Sequence, residues 1–225
     1  MRWAWAVAGL LLVTVPAHAA IPVAAIPVDV ALVLLVDVSM SIDPAEYALQ
    51  KGGTAKAFRD PRLAAAIEAG PLGRIAVTYV EWDRTPEQMV PWTVIDGAPA
   101  AEAFARLVEA TRRHAGGAST GMAAALTAAT GLLADPGLQA TRKVIDVSGD
   151  GAENTGADAA DARDQALAQG VSAVNGIVVG KEEGPRRFYA EDVVGGARSF
   201  LVTAEDFDAY EDAILRKLVL EIVAN

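Results

Sequence analysis

The stretch Val28-Asp29-Val30-Ala31-Leu32-Val33-Leu34-Leu35-Val36-Asp37-Val38-Ser39-Met40-Ser41-Ile42-Asp43-Pro44-Ala45-Glu46 decides the fold. Val28 to Val36 is almost wholly apolar and rich in β-branched residues. It therefore lacks the in-out alternation of a strand with one wet face, and predicts a strand buried on both faces of a parallel sheet. Asp43-Pro44-Ala45-Glu46 then combines an N-cap residue, proline at the first helical position and glutamate at the third, a reciprocal cap for a helix running to about Arg59, before Pro61. Strand, polar turn and capped helix in that order form the first half of a βαβ unit.

The same grammar repeats outward. Further short apolar runs lie at Arg74–Trp82, Lys143–Ser148, Val171–Val179 and Arg198–Val202, and Gln88–Ile95 carries Pro91, which belongs on an edge strand. Between them, Ala100–Arg113, Thr120–Ala134, Ala157–Gln169 and Ala204–Val223 have helical apolar spacing. The second is stopped by Asp135-Pro136-Gly137 and the third by Gly170. Alternating strands and helices imply right-handed crossovers. The expectation is a doubly wound α/β domain. Its sheet is mostly parallel, with about six strands, one antiparallel edge strand and helices on both faces.

At 225 residues the chain has room for one such domain with a full core, and its 52% hydrophobic content argues against disorder. Arg2, the apolar run Ala4–Val15 and Ala17-His18-Ala19 follow the pattern of an export signal. Residues 1–19 are thus expected to be a signal peptide, 20–27 a short linker and 28–225 the domain, in the periplasm or secreted. The apolar run is short for a membrane span, so no stable membrane insertion is expected. The absence of cysteine rules out disulfides and lipid attachment through a thiol. Net charge is −10, which disfavours nucleic acid and anionic lipid as partners.

Open sheets bind ligands beyond the carboxyl ends of their strands. After the first strand come Asp37, Ser39 and Ser41, one carboxylate and two hydroxyls spaced two apart; such oxygen donors suit a hard cation, Mg²⁺, Mn²⁺ or Ca²⁺. Asp150 follows the run Val144–Val147 in Ser148-Gly149-Asp150-Gly151, and Gly116-Gly117-Ala118-Ser119-Thr120-Gly121 adds a loop with two hydroxyls before a helix. Taken singly, each piece reads equally as turn or cap chemistry.

Together and in this order the pieces resemble the metal-ion-dependent adhesion site of von Willebrand factor A-type (VWA) and integrin I domains. The resemblance runs from about Val28 to Val223. It is closer still to an uncharacterised family of exported bacterial VWA-like proteins. The stretches carrying that likeness are 28–34, Gly-Arg-Ile-Ala-Val at 73–77, Val-Pro-Trp-Thr at 90–93, Val-Ile-Asp-Val-Ser-Gly-Asp-Gly at 144–151 and Arg-Lys-Leu-Val-Leu-Glu-Ile at 216–222. The resemblance implies a single divalent metal held by Asp37, Ser39, Ser41, Thr120 and Asp150. It also implies a non-enzymatic module whose protein partner completes the metal shell with an acidic side chain. Met40 and the loops 81–85 and 153–156 are expected to form the rim. The family's threonine directly follows the Gly-Gly pair, where this chain has Ala118; either Thr120 or Ser119 substitutes, or the site has lost one ligand.

Other readings compete. A metal-free scaffold on the same fold would have Ala118 as the mark of a decayed site. Gly117-Ala118-Ser119-Thr120-Gly121 satisfies the nucleophile-elbow pattern of hydrolases, but the elbow must follow a strand, and His114 precedes the serine. A phosphohydrolase with Asp37 as nucleophile wants a second aspartate where Ser39 stands. A dinucleotide-binding loop needs glycines that the segment after the first strand lacks. Asp146, inside a strand, is expected to make a buried structural bond. Trp82 and Trp92 read as packing residues, Asp158, Asp161 and Asp164 as a solvated helix face, and His114 as a surface residue at a helix end.

Overall fold

In the computed structural model, which describes residues 25–114, 119–135 and 137–224, the apolar run opens strand β1 (Ile26–Asp37). The strand starts inside the stretch expected to be linker. Its even-numbered residues Val30, Leu32, Leu34 and Val36 pack into one core, and Ala31, Val33 and Leu35 into another. Both faces are buried, as an unalternating run requires.

The remaining elements follow in chain order. They are α1 (Pro44–Arg59), α2 (Pro61–Glu68), β2 (Ile75–Trp82), β3 (Pro86–Ile95), α3 (Ala98–Ala110), α4 (Met122–Leu132), β4 (Leu138–Gly149) and α5 (Ala159–Ala168). Then come β5 (Ala173–Val179), α6 (Glu183–Phe188), a π-helical turn (Tyr189–Val193), β6 (Gly195–Gly196), β7 (Leu201–Ala204) and α7 (Tyr210–Val223). The sheet order is β3-β2-β1-β4-β5-β6, with β7 also paired to β5. Strands β1, β2, β4, β5 and β7 run parallel, and β3 is the antiparallel edge strand that Pro91 suggests. The seventh strand, the two-residue β6, is antiparallel to β5, so the sheet exceeds the expected six strands and has a second antiparallel pair.

Helices α1, α2, α3 and α7 contribute to the first core, α4, α5 and the π-helical turn to the second. The cap of α1 is the expected one: Asp43 accepts from the Ala45 and Glu46 amides, and Glu46 accepts from the Asp43 amide at 2.8 Å. Pro61 ends α1 but also starts α2, with Asp60 as its N-cap, which the reading of Pro61 as a stop overlooks. The last helix begins at Tyr210 because Leu201–Ala204 is drawn into the sheet beside β5.

Asp146 lies on β4 with 2% exposure, and its partner is Lys217 on α7, 2.5 Å away. Lys217 also bonds Glu221 at 2.5 Å, and Glu221 accepts from Asn175 of β5 at 3.0 Å. The expected buried bond of Asp146 is thus an ion pair. Trp82 is fully buried and Trp92 packs on the second core, as packing residues should.

Candidate metal site

Parallel register places the ends of β1 and β4 at one edge: Val36 pairs with Ser148, so Asp37 and Gly149 finish side by side. Beyond them the two turns meet. Ser41 donates from Oγ to Asp150 Oδ1 at 2.8 Å across a sequence separation of 109 residues, and the Ser39 and Ser41 hydroxyls lie 3.2 Å apart. Asp37 Oδ1 accepts the Ser39 amide at 2.8 Å, which folds the turn back over the strand end. Four of the five expected ligands, Asp37, Ser39, Ser41 and Asp150, therefore form one linked cluster.

The fifth, Thr120, is buried on the far side. Its amide donates to Asn154 Oδ1 at 2.7 Å, its carbonyl accepts the Asn154 amide at 3.1 Å, and its hydroxyl accepts from Asn154 Nδ2 at 3.4 Å. A Cβ built on Gly151 would fall 3.8 Å from Thr120 Oγ1, which places the hydroxyl beside the Asp150 turn. Residue 121 is fixed in turn by the Asp83 carbonyl, which accepts the Gly121 amide at 2.8 Å. The Ala118 position lies outside the described residues. Met40 is exposed, and the 153–155 segment borders Thr120 through Asn154, with Glu153 accepting the Ala123 amide at 3.0 Å.

Several residues that sequence patterns do not single out hold this arrangement. Gln50 donates to the Asp37 carbonyl at 2.9 Å, and one Arg113 nitrogen donates to the carbonyls of Val38, Ser39 and Ile42 at 2.7–2.9 Å. A Cβ on Gly149 would meet the Tyr189 hydroxyl at 2.6 Å and Asp37 Oδ2 at 2.7 Å, so only glycine lets β4 pass so close to both. His114 is not a surface residue. Its ring is largely buried between β2–β3 groups, with Nδ1 2.5 Å from Glu87, Nε2 3.2 Å from the Thr85 hydroxyl and its amide donating to Glu81 at 2.7 Å.

The electrostatics are those of a site short of positive charge. Asp37 is fully buried, and burial pushes its carboxyl up to about 7, against the Ser39 bonds that lower it and with Asp150 and Asp83 adding repulsion. Burial likewise raises Asp150, eased by the Ser41 bond. Asp37 Oδ2 and the Tyr189 hydroxyl have no hydrogen-bond partner among the described residues. Among the described residues no lysine or arginine side chain pairs with Asp37 or Asp150. Nor do three His, Asp or Glu side chains gather into a metal-binding group there. The donor set is two carboxylates and hydroxyls, with one buried carboxylate oxygen left over. That set fits a hard divalent cation that keeps several waters.

Among the described residues before Ser119, α3 and residues 111–114 include no strand of the kind a nucleophile elbow follows.

Comparison with known proteins agrees with the architecture. No curated protein matches the chain in sequence. Among solved structures, proximal thread matrix protein 1 from the mussel byssus, "with zinc occupied MIDAS motif", superposes with a TM-score of 0.65 at 17% identity, over 88% of this chain and 48% of that one. The von Willebrand factor type A protein from Catenulispora acidiphila gives 0.62 at 16%, over 87% and 43%. The vWF domain of the type V pili tip protein Mfa5 from Porphyromonas gingivalis gives 0.58 at 11%, over 88% and 97%. The chain spans about half the length of the first two. At such identities the likeness is one of fold, a VWA-like α/β domain. The chain belongs to the family described as "Protein of unknown function (DUF1194)", whose model matches residues 27–225.

Proposed function

We propose that this chain is an exported, non-enzymatic binding module that engages a protein partner through one divalent cation, Mg²⁺ or its relatives Mn²⁺ and Ca²⁺, held by Asp37, Ser39, Ser41, Thr120 and Asp150. The observation that carries this reading is Asp37 itself. A fully buried carboxylate with one oxygen unpartnered and no cation beside it is costly unless something else supplies the charge.

The residues divide the work. Asp37 offers its free oxygen from a rigid strand end, clamped by Gln50 and the Ser39 amide. Ser41 aligns Asp150 by donating to one of its oxygens, leaving the other open. Asn154 steers Thr120 and joins its loop to the 153–155 rim. When bound, the cation supplies a positive centre to which a partner's Asp or Glu carboxylate adds as the last oxygen. Two protein carboxylates formally balance the dication and the remaining oxygens are neutral, so a partner carboxylate adds by displacing a bound water, and the partly buried setting strengthens the contact.

The direct test is calorimetric titration of the chain with Mg²⁺ and Mn²⁺ before and after Asp37→Ala, with circular dichroism as the check on folding. Loss of binding in a folded variant is expected; unchanged affinity removes Asp37 from the site. A periplasmic pull-down with Mg²⁺ or with EDTA then tests the partner. Retention of the same protein in both conditions would point to a metal-free scaffold.

A further inference from the structure

The opposite edge of the sheet carries a second feature, separate from the metal cluster. Arg142 lies near the start of β4, seven residues before Gly149, or about 23 Å at the rise of an extended strand. Beside it a cavity of about 290 Å³ opens between the starts of β4 and β5, the β6–β7 turn and the end of α7. Ala173, Ala197, Phe200 and Ala224 give it apolar walls, and Arg142, Arg198 and Asn175 bring nitrogen donors.

Among the described residues neither guanidinium makes an ion pair. Arg142 donates to the Glu221 backbone carbonyl at 2.8 Å and makes no ion pair, and Arg198 makes neither a hydrogen bond nor an ion pair with any described residue. Elsewhere in this acidic chain Arg59, Arg62, Arg106, Arg163 and Arg187 sit on carboxylates, and Arg74, Arg113 and Arg186 bond backbone carbonyls. Burial holds Arg142 below its ordinary value, opposed by the Glu221 carboxylate and reinforced by repulsion from Arg198, which is close enough to be felt. An anion between them would relieve both effects.

The backbone holds Arg198 there at a cost. Its φ of 59° is the left-handed conformation, and no other described non-glycine residue adopts it. The turn that imposes it is pinned to β5. Gly196 pairs with Ala173, the Ala197 amide donates to the Ser172 carbonyl at 3.2 Å, and a Cβ on Gly196 would strike that carbonyl at 2.5 Å. The cavity floor is equally set: the buried Asn175 accepts the Phe200 amide at 3.0 Å and donates to Glu221, whose second carboxyl oxygen has no partner.

We infer that this cavity is a binding site for a small organic monocarboxylate, its head group held between Arg142 and Arg198 and its apolar body lying against Phe200 and the surrounding alanines. Guanidinium forks match carboxylate and phosphate alike; the apolar walls and the modest volume select a compact anion with a hydrocarbon body over inorganic phosphate. The site stands whether or not the opposite edge binds metal.

Calorimetric titration of the full chain with octanoate, octanol and inorganic phosphate tests it. Octanoate is expected to bind once per chain, octanol about tenfold more weakly or not at all, and phosphate without saturation. Arg198→Gln, at an exposed position that leaves the core untouched, should weaken octanoate about tenfold while far-ultraviolet dichroism stays unchanged, and Arg142→Gln should do the same. Equal binding of octanoate and octanol, octanoate affinity unaltered in Arg198→Gln, or no octanoate binding to the unmodified chain would each overturn the assignment.

Discussion

Two buried aspartates three strand positions apart in register show different solutions to one problem. Asp146, paired with Leu34 across β1 and β4, has Lys217 at 2.5 Å, with Asn175 completing the network through Glu221. Asp37, three residues further along β1, has amide and hydroxyl neighbours and one oxygen with nothing. In the first, charge meets charge inside the protein, and the difference is the counterion, since one oxygen each of Asp146 and Glu221 also lacks a hydrogen-bond partner among the described residues. The second is held in shape by Gln50, Arg113 and Gly149 while its charge is left over. Burying a carboxylate without a counterion is costly, and the proposed metal site rests on that difference between the two aspartates.

The comparison breaks most visibly at Lys217. Replacing it with methionine leaves Asp146 and Glu221 buried without a cation, and the expected loss is about 3–5 kcal/mol in urea unfolding. The loss should shrink in mild acid, where the Glu221 carboxyl, raised by burial and by the Asp146 charge, is protonated. An unchanged midpoint would mean that the network is bystander structure. At the open site, Gly149→Ala forces a methyl group between the Tyr189 hydroxyl and Asp37. It should cost about 1–3 kcal/mol and also abolish cation-dependent thermal protection, because Asp37 must move. Asp37→Asn should act in the other direction. With no ionised group to bury, the metal-free protein at pH 8 should gain about 1 kcal/mol, whereas Mg²⁺ should no longer raise its melting temperature. If the substitution instead destabilises the protein as Lys217→Met does, Asp37 is a structural residue.

Sequence reading works best where one rule governs a segment. β1 declares itself by an apolar run no helix needs, α1 by its reciprocal cap, and β3 by Pro91; the meeting of Asp37, Ser39, Ser41 and Asp150 is legible because all four lie at or just beyond the ends of β1 and β4. It fails where one residue serves two elements or where partners are distant. Pro61 both stops α1 and starts α2. Gly195-Gly196 is too short a strand to show any period, and the π-helical turn that brings Tyr189 under Asp37 has no sequence signal of its own. The partner of Asp146 is not legible either, because only the long-range packing of α7 over β4 and β5 buries Lys217 and Glu221 on Asp146 and Asn175. His114 is misplaced for the same reason, since the edge hairpin that shelters it is remote in sequence.

The smallest expected effect is the most discriminating. The native protein holds the Asp37 proton up to about pH 7, whereas the unfolded chain releases it near the ordinary value of 3.8. Between those values the native state binds more protons, so its stability falls as pH rises, and the loss is complete above about pH 7. Metal-free protein should therefore melt a few degrees higher at pH 6 than at pH 8. Burial and the Asp146 charge also raise Glu221, which contributes a slope of the same sign, so the part belonging to Asp37 is the part that disappears in Asp37→Asn. Saturating Mg²⁺ should remove that same part in the unmodified chain, because a cation at the site needs the ionised carboxylate and competes with the proton. A slope that survives both the substitution and the metal would assign the whole pH response to the Lys217 network, and would make the two aspartates alike after all.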